Sequence, residues 1–282
     1  MDDLYMDQII KEALKEDMPF GDITTDSVFD EEHRCEAYMV AKQEGIICGI
    51  KAAIRTFQLL DRDLIVEYEI EDGDPVRPGD IILEIQGRTR AVLKGERTAQ
   101  NILQRLSGIA TITYDFVKEV EGFDVRITDT RKTTPLLRQM EKYAVTCGGG
   151  ANHRFCLSDA VMIKDNHIEA MGGIKKAVEV LRKKIPHTMK IEIEADTMDK
   201  VKQAVLAGAD IIMLDNMDTE EMKEAVDFIN KRVTVEASGN VTKEKLKEIA
   251  KTGVDVISSG KLTHSVQALD ISMKIRKDFK AP

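Results

Sequence analysis

The chain has 282 residues, 43% of them hydrophobic, with 41 basic and 50 acidic side chains and a formal net charge of -9. That length buries a full core without help from disulfides or metals and suits one large domain plus a smaller one. The acidic balance disfavours nucleic acid and anionic membrane surfaces as partners, so any anionic ligand must meet a local cluster of cations.

The N-terminus is acidic and amphipathic, without the basic start and apolar core of a signal peptide, and no apolar run approaches the roughly 20 residues that span a bilayer. Met6, Ile9, Ile10, Ala13 and Leu14 recur at helical spacing up to Glu16, and Pro19 with Gly21 ends that helix. Residues 35–40, 46–48, 64–70 and 81–85 read as short strands and 52–60 as a helix, giving a small α+β domain. The segment Asp72-Gly-Asp-Pro-Val-Arg-Pro-Gly79 joins two strands as a turn. It is also weakly similar to a lipoyl-type carrier hairpin, but no lysine flanked by methionines lies nearby. From 91 to 120 the pattern is helical, with Ala99, Ile102, Leu103 and Leu106 as the apolar stripe and Ser107-Gly108 as an expected break.

Beyond that point short apolar strands alternate with amphipathic helices, the pattern of parallel α/β architecture. Strands are expected at 125–129, 160–163, 190–194, 211–214, 233–237 and 254–258, with helices such as 200–207 and 219–229 between them. No GxGxxG follows any strand, which disfavours a dinucleotide-binding domain. The expected fold is α/β, an incomplete (β/α) barrel over 111–270 behind a smaller N-terminal α+β domain over 1–110. Residues 271–282 are expected to be the end of a C-terminal helix, packing back on the N-terminal domain. The cysteines, Cys35, Cys48, Cys147 and Cys156, show no CxxC pairing and are expected as thiols in a cytoplasmic setting.

In such barrels ligands are held at the C-terminal strand ends. Here those ends are polar: Asp129-Thr-Arg-Lys132, Lys164-Asp-Asn-His167, Glu192-Ile-Glu194, Asp215-Asn216, Glu236-Ala-Ser-Gly239 and Ser258-Ser-Gly260. The period of two in a strand sets Ile191 and Ile193 against Glu192 and Glu194, so both glutamates either point into the barrel or form the wet face of an edge strand. Inward carboxylates would need a metal or lysine nearby. Arg131 and Lys132 sit on a strand-to-helix loop and are either a site or a solvated pair. After the glycines at 148–150, His153 and Arg154 favour a ligand-binding loop.

Lys164 ends a strand, where it is either a Schiff-base candidate or an ion-pair partner of Asp165 or Glu194. Ser238-Gly239 and Ser259-Gly260 are either phosphate-binding turns or plain caps. Ser259-Gly-Lys261 is not a P-loop, because Asp255 stands where glycine is required and Leu262 where Ser or Thr is required. Residues 153–156 lack a second ligand pair at zinc spacing.

As a set these residues closely resemble the quinolinate phosphoribosyltransferase family. The matching motifs are Glu16-Asp-Met-Pro-Phe-Gly-Asp22, Gly95-Glu-Arg-Thr98, Asp129-Thr-Arg-Lys-Thr-Thr-Pro135, Gly148-Gly-Gly-Ala-Asn-His-Arg154, Ile163-Lys-Asp-Asn-His167, Glu192-Ile-Glu194, Leu214-Asp-Asn216, Glu236-Ala-Ser-Gly239 and Leu262-Thr-His264. The resemblance implies transfer of phosphoribosyl from phosphoribosyl pyrophosphate to quinolinate, with Mg²⁺, releasing pyrophosphate and carbon dioxide and giving nicotinate mononucleotide for NAD synthesis.

It further implies that Arg131, His153, Arg154 and Lys164 cradle the dicarboxylate, with Arg97 reaching in from the other subunit of a homodimer. Lys132 would neutralise phosphoryl oxygens, Glu194 and Asp215 would hold ribose hydroxyls and Mg²⁺, and Ser238, Gly239, Gly260 and His264 would ring the 5′-phosphate. A related phosphoribosyltransferase for nicotinate or another heterocycle, and a Schiff-base lyase using Lys164, are the alternatives.

Overall fold

The computed structural model describes residues 2–276, which divide into two compact units. The first comprises the residues up to Tyr114, Thr134–Gly149 and those from Ser265 on. It opens with α1 (Asp3–Asp17), capped by the Asp2 side chain and burying Met6, Ile10 and Leu14 at four-residue spacing, and continues with α2 (Ile23–Val28). Then come β1 (Arg34–Ala41), β2 (Gly45–Ile46), α3 (Ile50–Leu60), β3 (Ile65–Glu67), β4 (Pro75–Val76), β5 (Ile81–Arg88) and α4 (Thr89–Glu119). The strands expected at 46–48 and 64–70 are shorter than the pattern suggested. The chain leaves β2 early because Asp72 Oδ1 accepts from Gly49 N and Ile50 N at 2.8 and 2.9 Å, which starts α3.

Helix α4 runs without interruption through Ser107-Gly108, contrary to the expected break. The pair is a packing notch. Ser107 Oγ accepts from Cys48 N and donates to Cys48 O, and a Cβ on Gly108 would stand 2.2 Å from Gln267 O. Close backbone approach, not helix termination, explains the glycine.

In chain order there follow β6 (Arg126–Thr128), α5 (Arg138–Cys147), β7 (Val161–Ile163), α6 (Asp165–Met171), α7 (Ile174–Arg182), β8 (Ile191–Ala195), α8 (Met198–Ala207), β9 (Ile211–Asp215), α9 (Thr219–Ile229), β10 (Thr234–Ser238), α10 (Leu246–Lys251), β11 (Val256–Ser258), α11 (Lys261–His264) and β12 (Ile271–Ile275). Residues 271–275 are therefore a strand and not a helix end, and 277–282 lie outside the described residues. Ile271, Ser272, Met273, Lys274 and Ile275 alternate in character, and β12 pairs antiparallel with β1 in a sheet ordered β12-β1-β5-β3.

Helix α5 also belongs to the first unit, although it falls within the 111–270 range expected for the barrel. Glu141 is fully buried, and Arg105 of α4 meets its carboxylate with Nε and Nη2 at 2.8 and 2.6 Å. A buried carboxylate needs such a partner, and this one ties α5 to α4.

The second unit comprises Asp115–Thr133 and Gly150–His264. Its sheet runs β6-β11-β10-β9-β8-β7, with every adjacent pair parallel. Among the described residues β6 and β7 are its two edges and do not pair with each other, so the barrel is incomplete. Ile191, Ile193, Ile212, Leu214, Val235, Ala237 and Ile257 are buried on one set of strand positions. The alternate positions carry Glu192, Glu194, Asp215, Glu236 and Ser238.

Gly108→Ala is expected to destabilise the protein by about 1–3 kcal/mol through overpacking against Gln267. A lowered midpoint in thermal or urea unfolding checks this, and an unchanged midpoint would remove the notch explanation.

Candidate active site

The C-terminal strand ends of the second unit surround a cleft of about 590 Å³. Of the residues expected from the sequence, Arg131, Lys132, His153, Arg154, Lys164, Glu194, Asp215, Ser238 and Gly239 all line it. Gly260 and His264 lie beside it in the turn that starts α11: His264 N donates to Gly260 O at 2.9 Å, and Gly260 packs against the Lys132 side chain. Arg97 does not line the cleft. It lies on α4 in the first unit, with its side chain exposed.

His153 and Arg154 are placed by a carboxylate that the sequence reading set at a polar strand end without giving it a role. Asp129 is completely buried at the end of β6, and its two oxygens accept from His153 N at 2.9 Å and Asn152 Nδ2 at 2.7 Å. Ala151 N donates to Ile127 O at 2.8 Å, so the 151–154 segment runs alongside the strand end. Arg154 Nη1 donates to Ala160 O at 2.8 Å. Burial and the like charge of Arg131 both hold the Arg154 guanidinium below its ordinary value. A bound anion would relieve that repulsion.

Below the cleft floor, His153 Nε2 lies 3.3 Å from Glu192 Oε2 and 3.5 Å from Glu236 Oε2. Burial opposes charge on the ring, but the hydrogen bonds and fields of the two carboxylates outweigh it and carry the His153 pKa up to about 10. In the same geometry Arg154 N donates to His153 Nδ1 at 2.7 Å, a bond that only the neutral ring can accept. The second proton must displace that amide, which offsets part of the gain. Burial raises Glu192 above its usual carboxylate range, and the neighbouring Glu236 charge adds to the shift. Glu236 Oε1 is buried without a hydrogen-bond partner among the described residues.

On the acidic side Lys164 Nζ pairs with Glu194 Oε1, the ion-pair alternative read from the sequence. The pair leaves the amine half exposed and engaged by a carboxylate, whereas a Schiff-base lysine is activated in a hydrophobic pocket or beside another cation. Asp215 ends β9 in register with Ser238, and Ser258 Oγ donates to Ser238 Oγ at 3.0 Å. Next to them Asn216 (φ 56°) sends its N–H to Ser238 O at 3.0 Å and accepts from Asn240 Nδ2 at 2.9 Å. Gly239 has φ +88°, and a Cβ there would meet Asn216 Oδ1 at 2.4 Å, so glycine is required on both counts.

Asn240 thus joins the site unforeseen, while Asp129, Asn216 and Ser258, named from the sequence only as polar strand ends, gain defined contacts in it. The available signal was Asn flanking Asp215 and Gly239, since Asn tolerates the left-handed conformation such turns use. Glu194 and Asp215 offer hard oxygen donors of the kind Mg²⁺ takes, and two carboxylates leave most of its positions to water and phosphate.

The comparisons with known proteins agree with this geometry. Residues 22–107 match the N-terminal domain of quinolinate phosphoribosyl transferase and residues 109–274 its C-terminal domain. The chain belongs to the quinolinate phosphoribosyl transferase family. A relative from Bacillus subtilis (strain 168), the probable nicotinate-nucleotide pyrophosphorylase [carboxylating], is 44% identical over 275 residues, covering 98% of this chain and 95% of its own. The mitochondrial quinolinate phosphoribosyltransferase [decarboxylating] 2b of Nicotiana tabacum is 41% identical over 95% of this chain and 81% of its own. The crystal structure of NadC from Streptococcus pyogenes superposes with a TM-score of 0.94 at 41% identity, covering 97% of each chain.

Because its folded pKa is raised, the charged His153 stabilises the protein fully below its ordinary value of 6.5, and that contribution is lost as pH rises through about 10. His153→Gln is therefore expected to lower the thermal midpoint most near pH 6, less as pH rises, and least near pH 10. A deficit that is constant with pH would show that the ring is not charged in the folded state.

Proposed function

We propose that this family member transfers the phosphoribosyl group of phosphoribosyl pyrophosphate to quinolinate with decarboxylation, giving nicotinate mononucleotide, pyrophosphate and carbon dioxide in NAD biosynthesis. The observation that carries the reading is the gathering in one cleft of the cations Arg131, Lys132, Arg154 and Lys164 together with the carboxylates Glu194 and Asp215. A protein of net charge -9 holds polyanionic substrates only where cations are concentrated in this way.

Arg131, Arg154 and Lys164 bind the two carboxylates of quinolinate through charge-assisted hydrogen bonds. His153 turns Nε2 to the buried glutamates, so it serves this cradle as positive charge and as support for Arg154. Lys132, whose main-chain carbonyl accepts from Thr263 Oγ1 at 2.8 Å, neutralises phosphoryl oxygens. The Ser238–Gly239 turn, Gly260 and His264 receive the 5′-phosphate. Glu194 and Asp215 face the ribose, where their charge stabilises the positive charge that develops on the sugar carbon. The same two carboxylates would hold Mg²⁺, directly or through water, and the ion supplies charge neutralisation of the departing pyrophosphate.

Once the pyridine nitrogen is ribosylated, its positive charge accepts the electron pair left as the adjacent carboxylate departs. The chain needs no nucleophile, because placement of the two substrates carries the reaction. Arg97 completes the dicarboxylate cradle from the other subunit of a homodimer, and the free cysteines suit a cytoplasmic setting.

The test is to supply quinolinate, phosphoribosyl pyrophosphate and Mg²⁺ and to follow carbon dioxide and the mononucleotide. Turnover that stops with a chelator and returns with Mg²⁺ is expected. No turnover, or equal turnover with nicotinate, would sink the assignment. Arg154→Ala should raise the quinolinate KM roughly 10- to 100-fold, from the about 1.5–3 kcal/mol of a hydrogen bond to a charged group.

Arg97→Ala and Lys132→Ala should each inactivate the enzyme, and mixing the two inactive proteins should restore part of the activity. Mixing that restores nothing would exclude a shared site.

A further inference from the structure

One cluster of reactive side chains in the first unit takes no part in this chemistry. Cys48, Asp72 and Cys147 each bring a sulfur or carboxylate oxygen within 4.8 Å of the others. Cys48 follows β2 and is fully buried. Its amide and carbonyl are locked to α4 through Ser107 Oγ at 3.0 and 3.2 Å. Cys147 is the last residue of α5 and is partly exposed.

Asp72 is already engaged on both oxygens, Oδ1 by Gly49 N and Ile50 N, and Oδ2 by the Tyr143 hydroxyl at 2.8 Å. Its carboxylate joins the start of α3 to Tyr143 of α5 and leaves the two sulfurs as the reactive pair. A closed structural metal site takes four donors. Two sulfurs beside a committed carboxylate fall short of that, whereas two thiols from separate elements are what a cross-link requires.

We infer that Cys48 and Cys147 are a modification site that closes into a reversible disulfide with a small-molecule disulfide as oxidant. Cys147 is the attacking group: of the two residues it is the one partly exposed, and hydrogen bonding from Cys48 holds its thiol below the ordinary value, against burial and the Asp72 charge. Burial pushes the Cys48 thiol well up, so it does not compete as the first nucleophile. The Cys147 thiolate attacks one sulfur of the oxidant, an S–S bond forms as the oxidant's own S–S bond breaks, and one thiolate leaves. Cys48 then attacks Cys147 Sγ, and its proton leaves with the displaced second sulfur, which departs as a thiol. The two cysteines lose two electrons and two protons, and the oxidant ends as two thiols.

The experiment uses the full chain carrying Cys156→Ser, which removes the exposed thiol. After incubation with oxidised glutathione the protein is denatured, its free thiols are counted and its peptides are mapped by mass spectrometry. The expected result is loss of two of the three remaining thiols, a linked Cys48–Cys147 peptide, and restoration of both thiols by dithiothreitol. The oxidised form should also melt higher, because the cross-link closes a long loop of the unfolded chain. Adding Cys48→Ala should leave a single glutathione adduct on Cys147, and adding Cys147→Ser should leave both remaining cysteines reduced. Three free thiols after oxidation, or an adduct on Cys147 that persists while Cys48 is present, would overturn the proposal. Should the Cys48→Ala protein not fold, the thiol count and peptide map of Cys156→Ser decide alone.

Discussion

The buried carboxylate of Asp129 carries more of the site than any of the cations does. Sitting at the end of β6 with no exposure, it accepts the His153 amide and the Asn152 side chain and so hangs the 152–154 segment from the barrel. A charge taken that far out of water demands partners, and the partners it takes are the residues that aim His153 and Arg154. Its neutral replacement would leave buried donors unsatisfied as well as freeing the loop.

The cleft served by that anchor holds cations and carboxylates together, with Lys164 paired to Glu194. On the proposed function this gives an acidic chain a place to hold polyanions and sets carboxylates where positive charge would develop on the sugar. Below it the His153, Glu192 and Glu236 group fills the barrel interior with charge where hydrophobic packing is usual. One imidazolium faces two carboxylates, and the burial that raises Glu192 is the physical cost of this arrangement.

The first unit is organised by the same device at two other points. Glu141, fully buried, meets Arg105 and so fastens α5 to α4, and Asp72 joins the start of α3 to Tyr143 of α5. These long-range pairs explain why the segment from Thr134 to Gly149 belongs to the first unit although its neighbours in the chain belong to the second. No local periodicity announces that excursion, since α5 has the same amphipathic pattern as a barrel helix.

The sequence alone determined the alternation of strand and helix, the parallel class, the polar strand ends and nine of the residues that line the cleft. These are readable because period, burial and the C-terminal placement of ligands in barrels are properties of single strands and helices. Tertiary structure decided the rest. Ser107-Gly108 proved a notch because Gln267 passes against it, and 271–275 became a strand because β1 offers it an edge. Asp129, Asn216, Asn240 and Ser258 entered the site through contacts with residues distant in the chain. The charge on His153 depends on Glu192 and Glu236 arriving from β8 and β10. A side chain's partners, and with them its pKa and its role, exist only once the chain has folded, and no spacing along it records them.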